Sequence, residues 1–148
     1  MRPLTVAVAL CALLAAGCGE GEEDTPTACL GGAAPYLEAL RQAPAEVRLP
    51  GGTEISSCLV EDQEAGELAR VGIALVRAAT ELNARADGAA GGPASIQLGY
   101  LVGSVQRGAE ETGGIHADLV RRVEAAAALD PASTAPYMRG LAAGREGG

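Results

Sequence analysis

The chain has 148 residues and a formal net charge of −8, with 11 basic residues, all of them arginine, against 19 acidic ones. This acid excess excludes a basic nucleic-acid-binding surface, so we expect no nucleic-acid partner. The length fits one domain, and because Phe and Trp are absent, its core has to be built largely from aliphatic side chains.

The N-terminus has the three parts of a secretory signal. Arg2 supplies a cation, residues 4–17 carry no charge, and the residues before Cys18 are small. A helix over this stretch would rise about 21 Å, which is less than a hydrocarbon core of about 30 Å. We therefore expect residues 1–17 to be a cleaved signal peptide and not a membrane span.

The residues at the expected cut indicate how the signal is processed. Residues 14–18, LAAGC, resemble the lipobox of bacterial lipoproteins, although Ala15 stands where that family usually has leucine. The resemblance covers about the first 18 residues. It implies that Cys18 receives a diacylglyceryl group, becomes the first residue of the mature chain and gains fatty acids such as palmitate. The alternative is an ordinary secretory signal in which Cys18 is incidental.

An acidic segment separates Cys18 from the rest of the chain. Residues 19–28, GEGEEDTPTA, hold four acidic residues and no large apolar residue, which is typical of a solvated tether. We predict a lipidated cysteine and flexible tether over 18–28 and one helical domain over 29–148. The expected location is extracytoplasmic, with the covalent lipid holding the chain to the bacterial cell membrane.

Two cysteines fall in the predicted domain, Cys29 and Cys58. An even pair in an exported chain is most simply a disulfide, and this one would staple an N-terminal loop. The alternative is a redox pair, which the missing C-x-x-C spacing disfavours.

Apolar residues recur at helical spacing in most of the predicted domain. Residues 46–49 and 54–60 alternate but are too short for confident strands, so we predict irregular structure there. The sequence thus indicates an all-α fold, a small up-and-down bundle of four to five helices. The predicted helices span 34–42, 61–87, 93–112, 115–129 and 134–143, followed by a frayed glycine-rich end.

The helix over 93–112 contains three glycines that need an explanation, because each costs about 1 kcal/mol relative to alanine inside a helix. Gly99 and Gly103 are four residues apart and flank Tyr100, and Gly108 follows. We expect a flat groove into which a neighbouring helix packs. Two alternatives are a small-ligand cleft along the face from Gly99 to Gly108 and a looser helix.

No residue cluster predicts a reaction. His116 has Glu110, Glu111 and Asp118 nearby, but their spacing does not bring them to one helix face, so we expect a solvated histidine. The alternatives are a metal-binding or catalytic role. No nucleophile elbow, P-loop, dinucleotide fingerprint or zinc-helix motif is present. We expect no cofactor, no metal and no catalytic residue, and an enzyme is the less favoured class.

The sequence therefore predicts a membrane-anchored lipoprotein that acts as an interaction or scaffolding module at the cell envelope, with an envelope protein as its partner. The alternative is a lipoprotein that binds a small ligand at the glycine-lined helix face.

Overall fold

The computed structural model describes residues 24–88, 92–128 and 134–148. The predicted signal peptide, Cys18 and residues 19–23 lie outside these ranges. The fold is all-α, as predicted: the described ranges form five helices and contain no strand. The helices are α1 (Ala33–Ala39), α2 (Ala65–Gly88), α3 (Pro93–Glu111), α4 (Ala117–Ala126) and α5 (Thr134–Gly147).

The loop between α1 and α2 is irregular, as the sequence predicts. It contains short 3-10 turns, at Leu40–Gln42, Pro50–Gly52 and Ser56–Cys58, while another turn, Thr27–Leu30, precedes α1. These turns bury aliphatic side chains beneath them, so the loop contributes to the core although it has no regular structure. Its buried residues include Val47, Leu49 and Ile55.

Helix α2 begins four residues later than the predicted start at residue 61. Asp62 has a left-handed backbone angle, with φ of 57°, which a continuing right-handed helix does not allow. The Glu64 carboxylate then accepts hydrogen bonds from the amides of Gly66 and Glu67, at 2.8 and 3.1 Å. Glu64 thereby satisfies two amides that have no partner within the first helical turn.

Helix α3 lies at the centre of the bundle. Its apolar stripe is buried, and so are the glycines and Tyr100 between the stripe residues. Helix α3 is covered on several sides, by α2, α4, α5 and the Ser56–Cys58 turn, which are its main contacts. The buried stripe comprises Leu98, Leu101, Val102, Val105 and Ala109.

The last two helices differ from the prediction at their ends. The predicted start at residue 115 lies outside α4: Ile115 is 52% exposed and precedes the helix, while Leu119 and Val123 within it are buried. Helix α5 continues to Gly147 instead of ending in a frayed segment from residue 144. The reason is packing, because Gly144 is buried against the backbone of α3.

None of the described helices is long and apolar enough to cross a membrane.

Candidate functional site

The predicted lipidation residue, Cys18, lies outside the described residues. The last residues of the predicted tether, 24–28, are described, and we call them the tether root. Thr25 is 5% exposed, and its hydroxyl accepts a hydrogen bond from the Gln63 side-chain amide at 2.7 Å. Gln63 also donates to the carbonyl oxygen of Cys58 at 3.0 Å. The tether root is therefore attached to the body just before α2 begins.

The two cysteines of the described chain form the predicted disulfide. Cys29 and Cys58 are bonded, with their Cα atoms 5.5 Å apart, and both are fully buried. The Tyr36 hydroxyl donates to the carbonyl oxygen of Cys29 at 2.9 Å. Burial raises the pKa of Tyr36, so its phenol stays neutral and keeps this bond. The Cys29–Cys58 disulfide thus joins the Thr27–Leu30 turn to the Ser56–Cys58 turn, which contacts α3.

The prediction of a solvated His116 is wrong. Its side chain is 1% exposed and both ring nitrogens have partners. Nδ1 lies 2.8 Å from the Thr112 hydroxyl at the end of α3, and Nε2 lies 3.0 Å from Oε1 of Gln63. Residues 112–116 form a turn that places the His116 ring against the end of α3. Helical spacing alone did not predict this turn.

The partners of Gln63 determine where the imidazole carries its proton. Because the Gln63 amide nitrogen donates to the Cys58 carbonyl, its oxygen faces His116 and accepts from Nε2–H. Nδ1 then accepts from the Thr112 hydroxyl. Burial lowers the pKa of His116, which favours this neutral form. His116 is thus a structural link between α3, α4, the disulfide loop and the tether root.

The face that carries Gly99 and Gly103 is covered by α5. A β-carbon on Gly99 would overlap the Tyr137 carbonyl, and one on Gly103 would overlap the Leu141 carbonyl. The backbones of the two helices are therefore in direct contact, as in the packing-groove interpretation of the sequence. Gly108 serves a separate contact, because its β-carbon would lie 2.5 Å from the carbonyl oxygen of Ser56.

Helix α5 presents matching glycines to α3. A β-carbon on Gly140 would overlap the Ile96 carbonyl, and one on Gly144 the Tyr100 carbonyl. Contacts advance in the same direction along both helices, so α3 and α5 are parallel. The repeated four-residue glycine spacing in both segments was the signal that could have predicted this pairing.

Tyr100, placed by the sequence beside the groove, extends to the stapled loop, and its hydroxyl also lies near the end of α5, 3.7 Å from the position that a β-carbon would take on Gly147. Its hydroxyl accepts a hydrogen bond from the amide of Val47 at 3.3 Å, and the side chain is 1% exposed. Burial raises the pKa of Tyr100, so the hydroxyl is neutral. This residue joins α3 to the loop.

The acidic residues near His116 do not assemble a metal site. No group of three or more His, Cys, Asp or Glu side chains in the described ranges is placed to hold an ion. All three of these acids are instead paired with arginines on the surface: Glu110 with Arg145 at 2.6 Å, Glu111 with Arg107 at 2.9 Å, and Asp118 with Arg121 at 2.9 Å.

Comparison of the chain with family models, with curated proteins and with solved structures finds no match.

Proposed function

We propose that the chain is a bacterial lipoprotein anchored through Cys18 on the extracytoplasmic side of the cell membrane, where its helical body acts as an interaction or scaffolding module. The single observation that carries the proposal is the closed Cys29–Cys58 disulfide. Disulfides persist in oxidising compartments, which an exported chain reaches and a cytosolic one does not. The lipobox-like residues 14–18 precede this bond and supply the anchoring residue.

The packing of the body supports an interaction role over a ligand carrier. A small-ligand carrier of the alternative kind would need open space beside Gly99 and Gly103, and the backbone of α5 occupies that space. The disulfide and the close α3–α5 pair give a rigid body that presents fixed surfaces near the membrane.

The anchor is tested by comparing the variants Cys18→Ala and Cys11→Ala of the full chain in a bacterial host fed labelled palmitate. Both replace a cysteine near the N-terminus, so Cys11→Ala is the matched control. We expect the control to incorporate label and sediment with membranes, because two acyl chains hold a protein there stably. Cys18→Ala is expected to lose both properties. Label and membrane association retained by Cys18→Ala would contradict the anchor.

The interaction role is tested in the same cells with a short cross-linker applied to the envelope. We expect the Cys11→Ala control to give a discrete heavier adduct and Cys18→Ala to lose it, because only the anchored body stays beside its partner. An unchanged adduct in Cys18→Ala, or none in the control, would contradict a membrane-localised interaction module.

A further inference from the structure

The outer face of α2 carries an exposed isoleucine with an arginine one turn to either side of it. Ile73 is 59% exposed, more than Ile115 or Met138. Arg70 and Arg77 lie one turn before and one turn after it on the same exposed face. Arg122 of α4 lies beside Gly72, the residue before Ile73, with Nη1 3.9 Å from the position that a β-carbon would take on Gly72. We call Arg70, Ile73, Arg77 and Arg122 the arginine–isoleucine face.

Two acids lie near these arginines on α2: Glu67 is one turn before Arg70, and Glu81, one turn after Arg77, is paired with Arg85 at 3.3 Å. None of the three guanidinium groups of this face forms an ion pair with a described residue, whereas most other arginines of the body do. On α4, Asp118 is already paired with Arg121 at 2.9 Å, and Glu124 accepts a hydrogen bond from the Gln106 side chain at 2.7 Å. In a chain of net charge −8, this face is a local region of positive charge around an apolar side chain.

The position of the tether root brings this face within reach of a membrane. Cys18 precedes Asp24, the first described residue, by six positions, which extend to about 20 Å at most. Thr25 is bonded to Gln63, two residues before α2 begins. Arg70 and Arg77 follow the start of α2 by about 8 and 18 Å along the helix axis.

We propose that the arginine–isoleucine face docks the body onto an anionic phospholipid surface, with Ile73 entering the headgroup region. This inference rests on the proposed anchor at Cys18. An anionic bilayer repels the acidic remainder of the body and attracts this face, so the anchored domain takes one orientation. A helix with exposed cations and an apolar side chain on one face is suited to lie in the interface plane.

The test uses the full lipidated chain, reconstituted in vesicles, with an environment-sensitive fluorophore on Ile73→Cys. The matched control is Met138→Cys, because Met138 is 51% exposed on α5 and has one neighbouring arginine, Arg139. Each introduced cysteine is the only free thiol of the anchored chain, since Cys29 and Cys58 are bonded and Cys18 carries lipid.

We expect the label at position 73 to shift to the blue on phosphatidylglycerol vesicles and not on phosphatidylcholine vesicles. The label at position 138 is expected not to shift on either. Neutralising Arg70, Arg77 and Arg122 together with Gln should abolish the shift, because each arginine near an anionic surface favours the docked state about fivefold. High salt should also reverse it.

No shift at position 73 on phosphatidylglycerol, an equal shift on both lipids, or an equal shift at position 138 would overturn the proposal. Flotation of the vesicles separates this failure from a failure of the anchor. Protein that floats with phosphatidylcholine vesicles is anchored, so the absence of a shift in floating protein contradicts the docking face alone. Protein that fails to float contradicts the anchor.

Discussion

His116 connects several parts of the fold through its two ring nitrogens. Its neutral ring accepts from Thr112 and donates to Gln63, and Gln63 holds both the disulfide loop and Thr25. The Thr112 hydroxyl also lies 2.9 Å from the carbonyl oxygen of Gly108. A protonated ring could keep both contacts if this hydroxyl turned to Gly108, so the main cost of protonation is burying the charge.

We predict that stability falls in mild acid because of His116. Its folded-state pKa is lowered below the ordinary 6.5 by burial, so the unfolded chain binds the proton more tightly. The contribution of His116 to the free energy of unfolding is fully present above pH 6.5. It decreases by up to about 1.4 kcal/mol per pH unit as the pH falls toward the folded-state pKa.

The measurement is denaturant unfolding from pH 7.5 to 5, comparing the wild type with His116→Gln. The variant removes the titrating group while keeping a side chain that can donate and accept hydrogen bonds. Carboxylates titrate equally in both proteins, so the difference between the two curves isolates His116. Parallel curves across this range would contradict the assignment.

At the scale of elements, the glycines of α3 and α5 determine how closely the two helices approach. Small residues let helix backbones meet, and here each helix places its glycines against carbonyl groups of the other. The same residue type has a different role on α2, where a β-carbon on Gly72 would lie 3.4 Å from the Leu119 side chain. Glycine is therefore required where α3 and α5 meet, whereas at position 72 it is only tolerated.

We predict opposite effects for alanine at these positions. Gly144→Ala should reduce the free energy of unfolding by about 2 kcal/mol or more, because the helices have to separate. Gly72→Ala should leave it unchanged or raise it by up to about 1 kcal/mol, because alanine favours the helix. Thermal and denaturant unfolding of both variants measure this contrast. Equal destabilisation by the two substitutions would contradict the close α3–α5 contact.

The periodic sequence predicts the helices better than their ends or their partners. The stripes of α2 and α3 follow from apolar spacing, which depends on neighbours along one helix. The start of α2 depends on the turn at Asp62 and the cap at Glu64, which the apolar pattern does not encode. The partner of the α3 glycines depends on residues some 40 positions later, and their glycine richness suggested fraying instead.

At the scale of the whole molecule, the disulfide closes the largest irregular segment of the body. The bonded cysteines are separated by 29 positions, and the enclosed loop contributes buried side chains to the core. The cysteine pair was predictable because Cys29 and Cys58 are the two cysteines of the predicted domain. The connection from the disulfide loop to His116 through Gln63 was not predictable, since Gln63 and His116 are 53 positions apart in the sequence.

We predict that reduction of this disulfide lowers the free energy of unfolding by about 3 to 4 kcal/mol, through the larger conformational entropy of the open unfolded chain. Denaturant unfolding of Cys29→Ser/Cys58→Ser against the wild type measures the loss. Tyr36→Phe serves as a control for the nearby hydrogen bond, whose loss should cost only about 1 kcal/mol. Equal unfolding free energies of the double variant and the wild type would contradict a stabilising bond.

We propose that fatty chains on Cys18 hold this helical body at a membrane, and the intact mass of the protein purified from bacterial membranes tests this anchor most directly. We predict a chain that begins at Cys18 and carries the added mass of a diacylglyceryl group. A chain that still begins at Met1, or one that begins at Cys18 without lipid mass, would contradict it.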